Sequence, residues 1–419
     1  MVTNNKFDIV VCGGGLGGLG AAIGLTLKGH KVTVLEAAEQ LNEVGAGIQV
    51  PPNSSRILDQ YGVYEKFQKT VTVPKHIQLR RYKTGEVLDA TPLHPRMTDI
   101  YGYPYWLIHR ADYQKVLYDR CVELGVEIRN GCRVDHVDQD NVTVHLTSGE
   151  VVKADLIIGA DGIRSRVRDT AVIPEEEVKP SKSTNCAYRA TVPRDVMMAD
   201  KLLAPLMTDV NCNCWLGYRR HVMAYPIRNG ELYNIVMSHP GEAAVGRWNE
   251  PGNPEEMRAQ YKDWDPVVCR LLTKVNDGVL KWVLADMPML PRYTSASGRV
   301  IIMGDAAHAM LPYLAQGAAQ AMEDGACLSA LLEKCSSVDD IPAATREYER
   351  KRKKRAEAVQ EGARKNAQIW HLPDGESQEE RDEEMRDAAS KREAGTQNPN
   401  QWSDPTLQRW LFGWNAFTD

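Results

Sequence analysis

The chain has 419 residues, 43% hydrophobic and 26% charged, with a formal net charge of −5. That length accommodates two or three domains around a substantial core. The slight acidity argues against a nucleic-acid partner, which needs a basic surface, and no run of about 20 apolar residues is present to span a bilayer.

Phe7–Cys12 reads as a buried strand, Gly13–Gly20 as a glycine-rich turn, residues 17–28 as a helix, and Lys31–Glu36 as a second strand. This is a βαβ start within about thirty residues. It shows no basic leader and no cleavage site, so a cytoplasmic location is expected. Residues 77–90 look like strands joined at Thr84-Gly85. An amphipathic helix is expected over 111–124, strands over 126–129, 133–137 and 142–147, and one apolar run over 151–160 that ends in Asp161-Gly162.

From about 183 to 283 strand-like stretches (185–192, 213–226, 231–238) alternate with loops, as in an inserted sheet forming the floor of a pocket. Arg299–Asp305 returns the chain to the first domain, and a helix follows near 316–334. Residues 342–371 form a long charged helix. Its basic run Arg350–Arg355, interleaved with Glu347, Glu349 and Glu357, reads as a solvated face rather than a nuclear-targeting or nucleic-acid patch. Residues 373–404 are polar enough to be a loose arm. The aromatic segment Trp410–Trp414 should dock on the body. The nine cysteines form no CxxC pair and suit a reducing compartment. Cys212 and Cys214, two apart, leave open a metal or a vicinal disulfide against the plainer reading of buried thiols beside a cavity.

Gly13-x-Gly15-x-x-Gly18 follows a strand and opens a helix. Gly13 permits the tight turn, Gly15 lets a pyrophosphate approach the backbone, and Gly18 allows close helix–strand packing. Free N–H groups at the helix start hold phosphates, and Glu36 closes the second strand where a carboxylate can accept from a ribose. The motif alone does not separate FAD from NAD. Two later turns do: Asp161-Gly162, and Gly304-Asp305 with Ala315–Gln320, each just after an apolar strand, where ligands gather in open α/β folds. Asp305 can accept from ribityl hydroxyls. Gly317 and Ala318 open a helix whose positive end suits the N1–O2 edge of a flavin.

The order GxGxxG, then DG, then GD with a glycine-rich loop resembles the single-component FAD-dependent aromatic hydroxylases. Val44–Gln49 with Pro52–Arg56, His109–Tyr113 and Pro312–Gln320 are similar to salicylate hydroxylase relatives, and the aromatic ending is similar to fungal members. The resemblance implies that Arg110 reaches FAD from a helix start and that Gly47–Gln49 lies beside it. It further implies reduction of FAD by transiently bound NADH or NADPH, reaction with O2 to a flavin C4a-hydroperoxide, and transfer of one oxygen atom to a phenolic ring. Related hydroxybenzoate hydroxylases carry a His-x-x-x-Tyr pair facing the flavin, which falls on His221 and Tyr225. Fungal dearomatising hydroxylases place an arginine against the phenolate, which falls on Arg189, with Tyr218 as the accompanying tyrosine.

The implied fold is α/β: a Rossmann-like FAD-binding domain, an inserted mixed β-sheet substrate domain and a C-terminal helix. The expected divisions are 1–75, 107–180 and 285–340 for FAD, 76–106 and 181–284 for substrate, and 341–419 for the C-terminal helix and tail. Partners are a small aromatic substrate and O2, with no metal, in a monomer or homodimer. Dearomatising hydroxylation and indole or alkene epoxidation are the competing reactions; a non-oxygenase flavin enzyme and a nucleotide-sensing scaffold are remoter ones. The Trp-x-Trp-x-Ile motif of flavin halogenases and the paired motifs of disulfide reductases are missing from the sequence.

Overall fold

The computed structural model describes residues 7–40, 46–181, 185–241, 250–276, 278–391 and 397–419. Val44 and Gly45 of the Val44–Gln49 motif, and 392–396 of the polar stretch, lie outside the described residues.

A parallel sheet carries the N-terminal motif, in the order Val300–Ile302, Leu156–Gly159, Asp8–Cys12, Lys31–Leu35, Glu127–Arg129. Its central strands are apolar on both faces, as a sheet covered on both sides requires. The helix Leu16–Leu27 packs against Gly317–Leu332 through small residues. A Cβ on Gly20 would lie 2.5 Å from Met322 Sδ, and one on Gly325 would lie 2.7 Å from Ala21 Cα. The two helices that open at the two glycine-rich turns are thereby locked together.

The second large sheet has eight strands, in the order Glu250–Pro251, Leu280–Val283, Asn185–Pro193, Leu232–Pro240, Arg220–Ile227, Cys212–Gly217, His76–Arg81, Val87–Pro92. It is mixed: Cys212–Gly217 runs parallel to His76–Arg81 and the other pairs are antiparallel. A two-stranded ribbon, Gly47–Val50 with Trp106–His109, is the third element near the site.

Several expectations need correction. The stretch 213–226 is two strands joined at Tyr218-Arg219, where Arg219 takes φ 54°. The apolar run 151–160 divides into Val151–Lys153 and Leu156–Gly159, which belong to different sheets. The polar stretch after 373 is not loose along its whole length, since Glu376–Ser390 is a helix. Few apolar side chains announce it, because its buried face is largely polar: Gln378, Arg381 and Asp382 with Met385 and Ala388.

The basic run is a solvated face only in part, with Arg350 at the surface beside Glu347 and Lys353 paired with Glu357. Arg352 and Arg355 fall in the buried stripe of the helix Ile341–Trp370, spaced with Tyr348, Val359, Ala363 and Trp370. Arg352 meets Asp324 at 2.7 Å and Glu323 at 2.6 Å; Arg355 meets Glu323 at 2.8 Å. Arg355 also donates to the carbonyls of Trp410 and Leu411 and lies over the rings of Trp410 and Trp414, which docks the aromatic segment. Cys212 and Cys214 are buried free thiols. Among the described residues there is no metal-holding cluster and no helix long and apolar enough to cross a membrane.

Candidate active site

One cleft of about 370 Å³ runs between the parallel sheet and the eight-stranded sheet. Its first wall is built from turns. Gly13 (φ 114°) and Gly18 are glycines for internal reasons, because a Cβ would stand 2.3 Å from Ala160 O and 2.0 Å from Gly13 O respectively. Gly15 differs. A Cβ there meets nothing within 4 Å, yet Gly15 lines the cleft and caps the helix Leu16–Leu27 with no side chain over its free N–H groups. The open side of Gly15 therefore faces the cleft at a helix N-terminus, the geometry that accepts a phosphate.

Glu36 folds back beside this turn, taking the Gly14 N–H at 2.7 Å on Oε2 and the Ala38 N–H at 2.8 Å on Oε1. Arg110 opens its helix on the cleft, where Gly47 and Gln49 of the ribbon also lie. A Cβ on Gly47 would strike Tyr225 and Asn234, so glycine here lets the ribbon touch the large sheet. Gly304 (φ 57°) turns the chain after the Val300–Ile302 strand and presents Asp305, which is exposed in the cleft wall. The 16-residue helix Gly317–Leu332 starts in the same wall, with no side-chain cap at Gln316 and with Gly317 and Ala318 lining the cleft.

Behind this wall sits a buried charge network. Asp324 Oδ2 takes the Gly304 N–H at 2.9 Å and His308 Nε2 at 2.6 Å, and its Oδ1 faces Arg352. Burial pushes the Asp324 carboxyl up, but His308 and Arg352 more than offset it and bring it to about 2. Glu323 accepts from Asn53 and Arg355 and is held below its usual range in the same way.

The opposite wall is the sheet. Side chains alternate along a strand, so His221, Met223 and Tyr225 share the cleft face while Val222 and Ala224 enter the core behind. Arg189 joins them from the neighbouring part of the sheet, its guanidinium 3.6 Å from the centre of the Trp282 ring. Burial pushes the Tyr225 phenol well up, partly countered by Arg189 and Gln49. Burial lowers His221 well below the usual imidazole range, and His371 adds to that.

The family described as "FAD binding domain" matches residues 6–363. The chain belongs to this FAD-binding family. It is 39% identical over 410 residues to the FAD-dependent monooxygenase OpS4 of Beauveria bassiana, covering 97% of this chain and 95% of that one. It is 36% identical over 416 residues to a 3-amino-4-hydroxybenzoate 2-monooxygenase of Streptomyces cremeus, covering 99% and 97%. A salicylate hydroxylase solved as a substrate complex shares the fold with TM-score 0.78 at 24% identity, over 99% of this chain and 97% of that one. The protein is a flavin-dependent monooxygenase of α/β fold, as the sequence motifs implied.

The residues present fit FAD. Gly15 leaves its helix start open to the cleft, and the uncapped start of Gly317–Leu332 lies in the same wall as Asp305 and Arg110. Two expected site residues are placed differently. Tyr218 sits at the hairpin turn, 51% exposed and off the cleft, because the turn interrupts the alternation that carries His221 and Tyr225 inward. The Asp161 carboxylate turns into its own loop, where it accepts from Ser165 Oγ (2.6 Å) and from the N–H groups of Arg166 and Val167; Ala160 and Gly162 line the cleft instead.

The sequence reading missed the far end of the cleft. Trp370 and Trp402 line it, 5.0 Å apart, and both come from the C-terminal region. Trp370 continues the buried spacing of its helix, which was the available signal; Trp402 left none.

Proposed function

We propose that this monooxygenase inserts one oxygen atom of O2 into an electron-rich phenolic ring, with NADH or NADPH as the reductant. One observation carries the reading: Arg189, His221 and Tyr225 project from the sheet into the same cleft that holds Gly15, Arg110, Asp305 and Gly317. The hydroxybenzoate ring named for the Streptomyces relative supports a phenol of this class.

Bound FAD supplies the reduction and the activation of O2 that no side chain can perform. The protein's own residues bind and orient. The Gly13–Gly18 turn takes the pyrophosphate and Glu36 the adenosine ribose. Arg110 and Asp305 serve the ribityl region, and the Gly317–Ala318 helix start serves the edge of the ring system where reduction places negative charge. Asp161 shapes the turn that presents Gly162.

On the other wall, Arg189 stabilises the phenolate form of the substrate, which lowers the cost of deprotonation and makes the ring more nucleophilic. His221 accepts the phenolic proton. Tyr225, neutral and buried, donates a hydrogen bond to the substrate oxygen. Met223, Trp282, Trp370 and Trp402 exclude water.

The test is consumption of NADH and of NADPH against a panel of phenols and indoles, with the mass and structure of each product. A phenol that gains one oxygen in step with reductant use supports the reading. Coupled oxygenation of indoles or alkenes alone overturns it in favour of epoxidation.

A further inference from the structure

His221 and His371 stand 150 positions apart in sequence, yet His221 Nδ1 lies 3.1 Å from His371 Nε2. The two rings are nearly parallel and meet through these nitrogens, 5.3 Å between centres and 21° between planes. Tyr313 and Trp370 close around them edge-on. His221 is buried and lines the cleft, whereas His371, at the end of the Ile341–Trp370 helix, is only partly buried. The pair thus has one end in the substrate cavity and the other toward solvent.

We propose that His371 acts through His221, and that the two rings form a proton path from the substrate oxygen to bulk water. The proposal rests on the phenol reading above. A proton accepted deep in the cleft must leave it, and the structure offers this contact as the exit.

The electrostatics favour conduction over storage. Burial lowers His221 well below its ordinary range, with His371 adding to the effect; burial and then Arg381 bring His371 to about 4. Neither ring holds a charge at neutral pH. Other charged groups nearby, Arg81, Asp374 and Asp382, pair among themselves. A neutral imidazole can still relay, releasing one N–H while it gains the other.

The step balances. The substrate O–H breaks as His221 Nε2–H forms. His221 Nδ1–H breaks as His371 Nε2–H forms, and His371 Nδ1–H passes to water. When the product ring regains its aromaticity, the reverse passage returns a proton to the product oxygen and restores both tautomers. No oxidant or co-reactant is needed.

The experiment uses His371→Gln in the full FAD-loaded chain. Glutamine can accept from His221 Nδ1 but cannot relay. We expect oxygen transfer in rapid mixing to slow by on the order of 10²-fold, the scale of a lost acid–base group. Hydrogen peroxide should rise, while flavin reduction and FAD affinity stay unchanged. Added imidazole should restore the rate in proportion to its concentration, a response that repair of a merely structural defect does not give. Independently of turnover, mixing with 4-nitrophenol beside a pH indicator should release its proton more slowly in the variant. His371→Phe, which keeps a ring against Tyr313, should behave likewise and guards against a glutamine-specific folding defect.

Normal oxygen transfer in both variants, with no imidazole response, overturns the path. The underlying reading fails separately: if His221→Asn also transfers oxygen normally, His221 is not the proton acceptor at all. If only the His221 variant is impaired, the acceptor stands and the path through His371 is wrong.

Discussion

Asp324 and Arg352 meet at 2.7 Å with both side chains fully buried, and the same carboxylate holds the Gly304 N–H in front of Asp305. The ion pair therefore ties the long C-terminal helix to the turn that presents Asp305 in the cleft. Removing one partner leaves an uncompensated buried charge, typically about 3–5 kcal/mol. Arg352→Met should be destabilised toward that scale in urea unfolding, since Asp324 then keeps only His308 and the Gly304 N–H, and Glu323 only Arg355 and Asn53. A change under about 1 kcal/mol would mean that the pair is structurally idle.

The glycines of the first turn should separate by function. Gly18→Ala forces a Cβ to 2.0 Å from a backbone oxygen and should lower the melting temperature of the apoprotein. Gly15→Ala meets no protein atom, so the apoprotein should keep its stability while FAD affinity falls. Equal FAD affinity for Gly15→Ala and the natural chain would remove the phosphate role from this turn.

Asp305→Ala should loosen FAD by roughly 1–3 kcal/mol, the cost of a partner lost from a buried polar group. Arg110→Lys keeps the charge but loses the planar fork, and should also bind FAD more weakly. Fluorescence titration of the apoproteins reads both. Undiminished affinity in either variant would make that residue a structural one.

Arg189 and His221 should fail differently. Arg189→Ala loses the anion's partner, so substrate binding weakens together with oxygen transfer. His221→Ala should spare substrate binding and flavin reduction while oxygen transfer slows by about 10²–10⁴-fold. Separate reductive and oxidative half-reactions distinguish the two. Normal coupling in His221→Ala would shift the proton to another acceptor.

Stability should fall as pH drops from about 6.5 toward about 4. His371 has a folded value near 4 against an ordinary 6.5, so the unfolded chain binds the proton first. Its contribution is complete above pH 6.5 and is lost through that window; His221, His30 and His239 are shifted the same way. His371→Gln should show a shallower slope of unfolding free energy over this range. An identical slope would mean that His371 titrates normally.

The parts of the fold that repeat locally were readable in the sequence. The βαβ start and the alternation bringing His221 and Tyr225 to one face follow from strand and helix periods acting over a few residues. Partnerships across the fold were not readable. Arg352 and Arg355 sat in a basic run whose charge suggested solvent, although their helical spacing with Tyr348 and Val359 pointed inward. His371 reaches His221 only because a 30-residue helix ends beside the cleft, and a single histidine at a helix end carries no mark of such a partner. Tyr218, matched through the resemblance, lies at the hairpin turn between two strands that the sequence presents as one apolar stretch.

The alternation along Arg220–Ile227 has an evolutionary consequence. His221, Met223 and Tyr225 line the cleft, whereas Val222 and Ala224 hold the sheet to the helices behind it. A lineage can exchange Met223 for a larger or smaller side chain and change which rings it accepts, while the residues on either side keep the sheet packed. Cleft lining and sheet packing are thus inherited on interleaved positions, and selection can act on one with little penalty to the other.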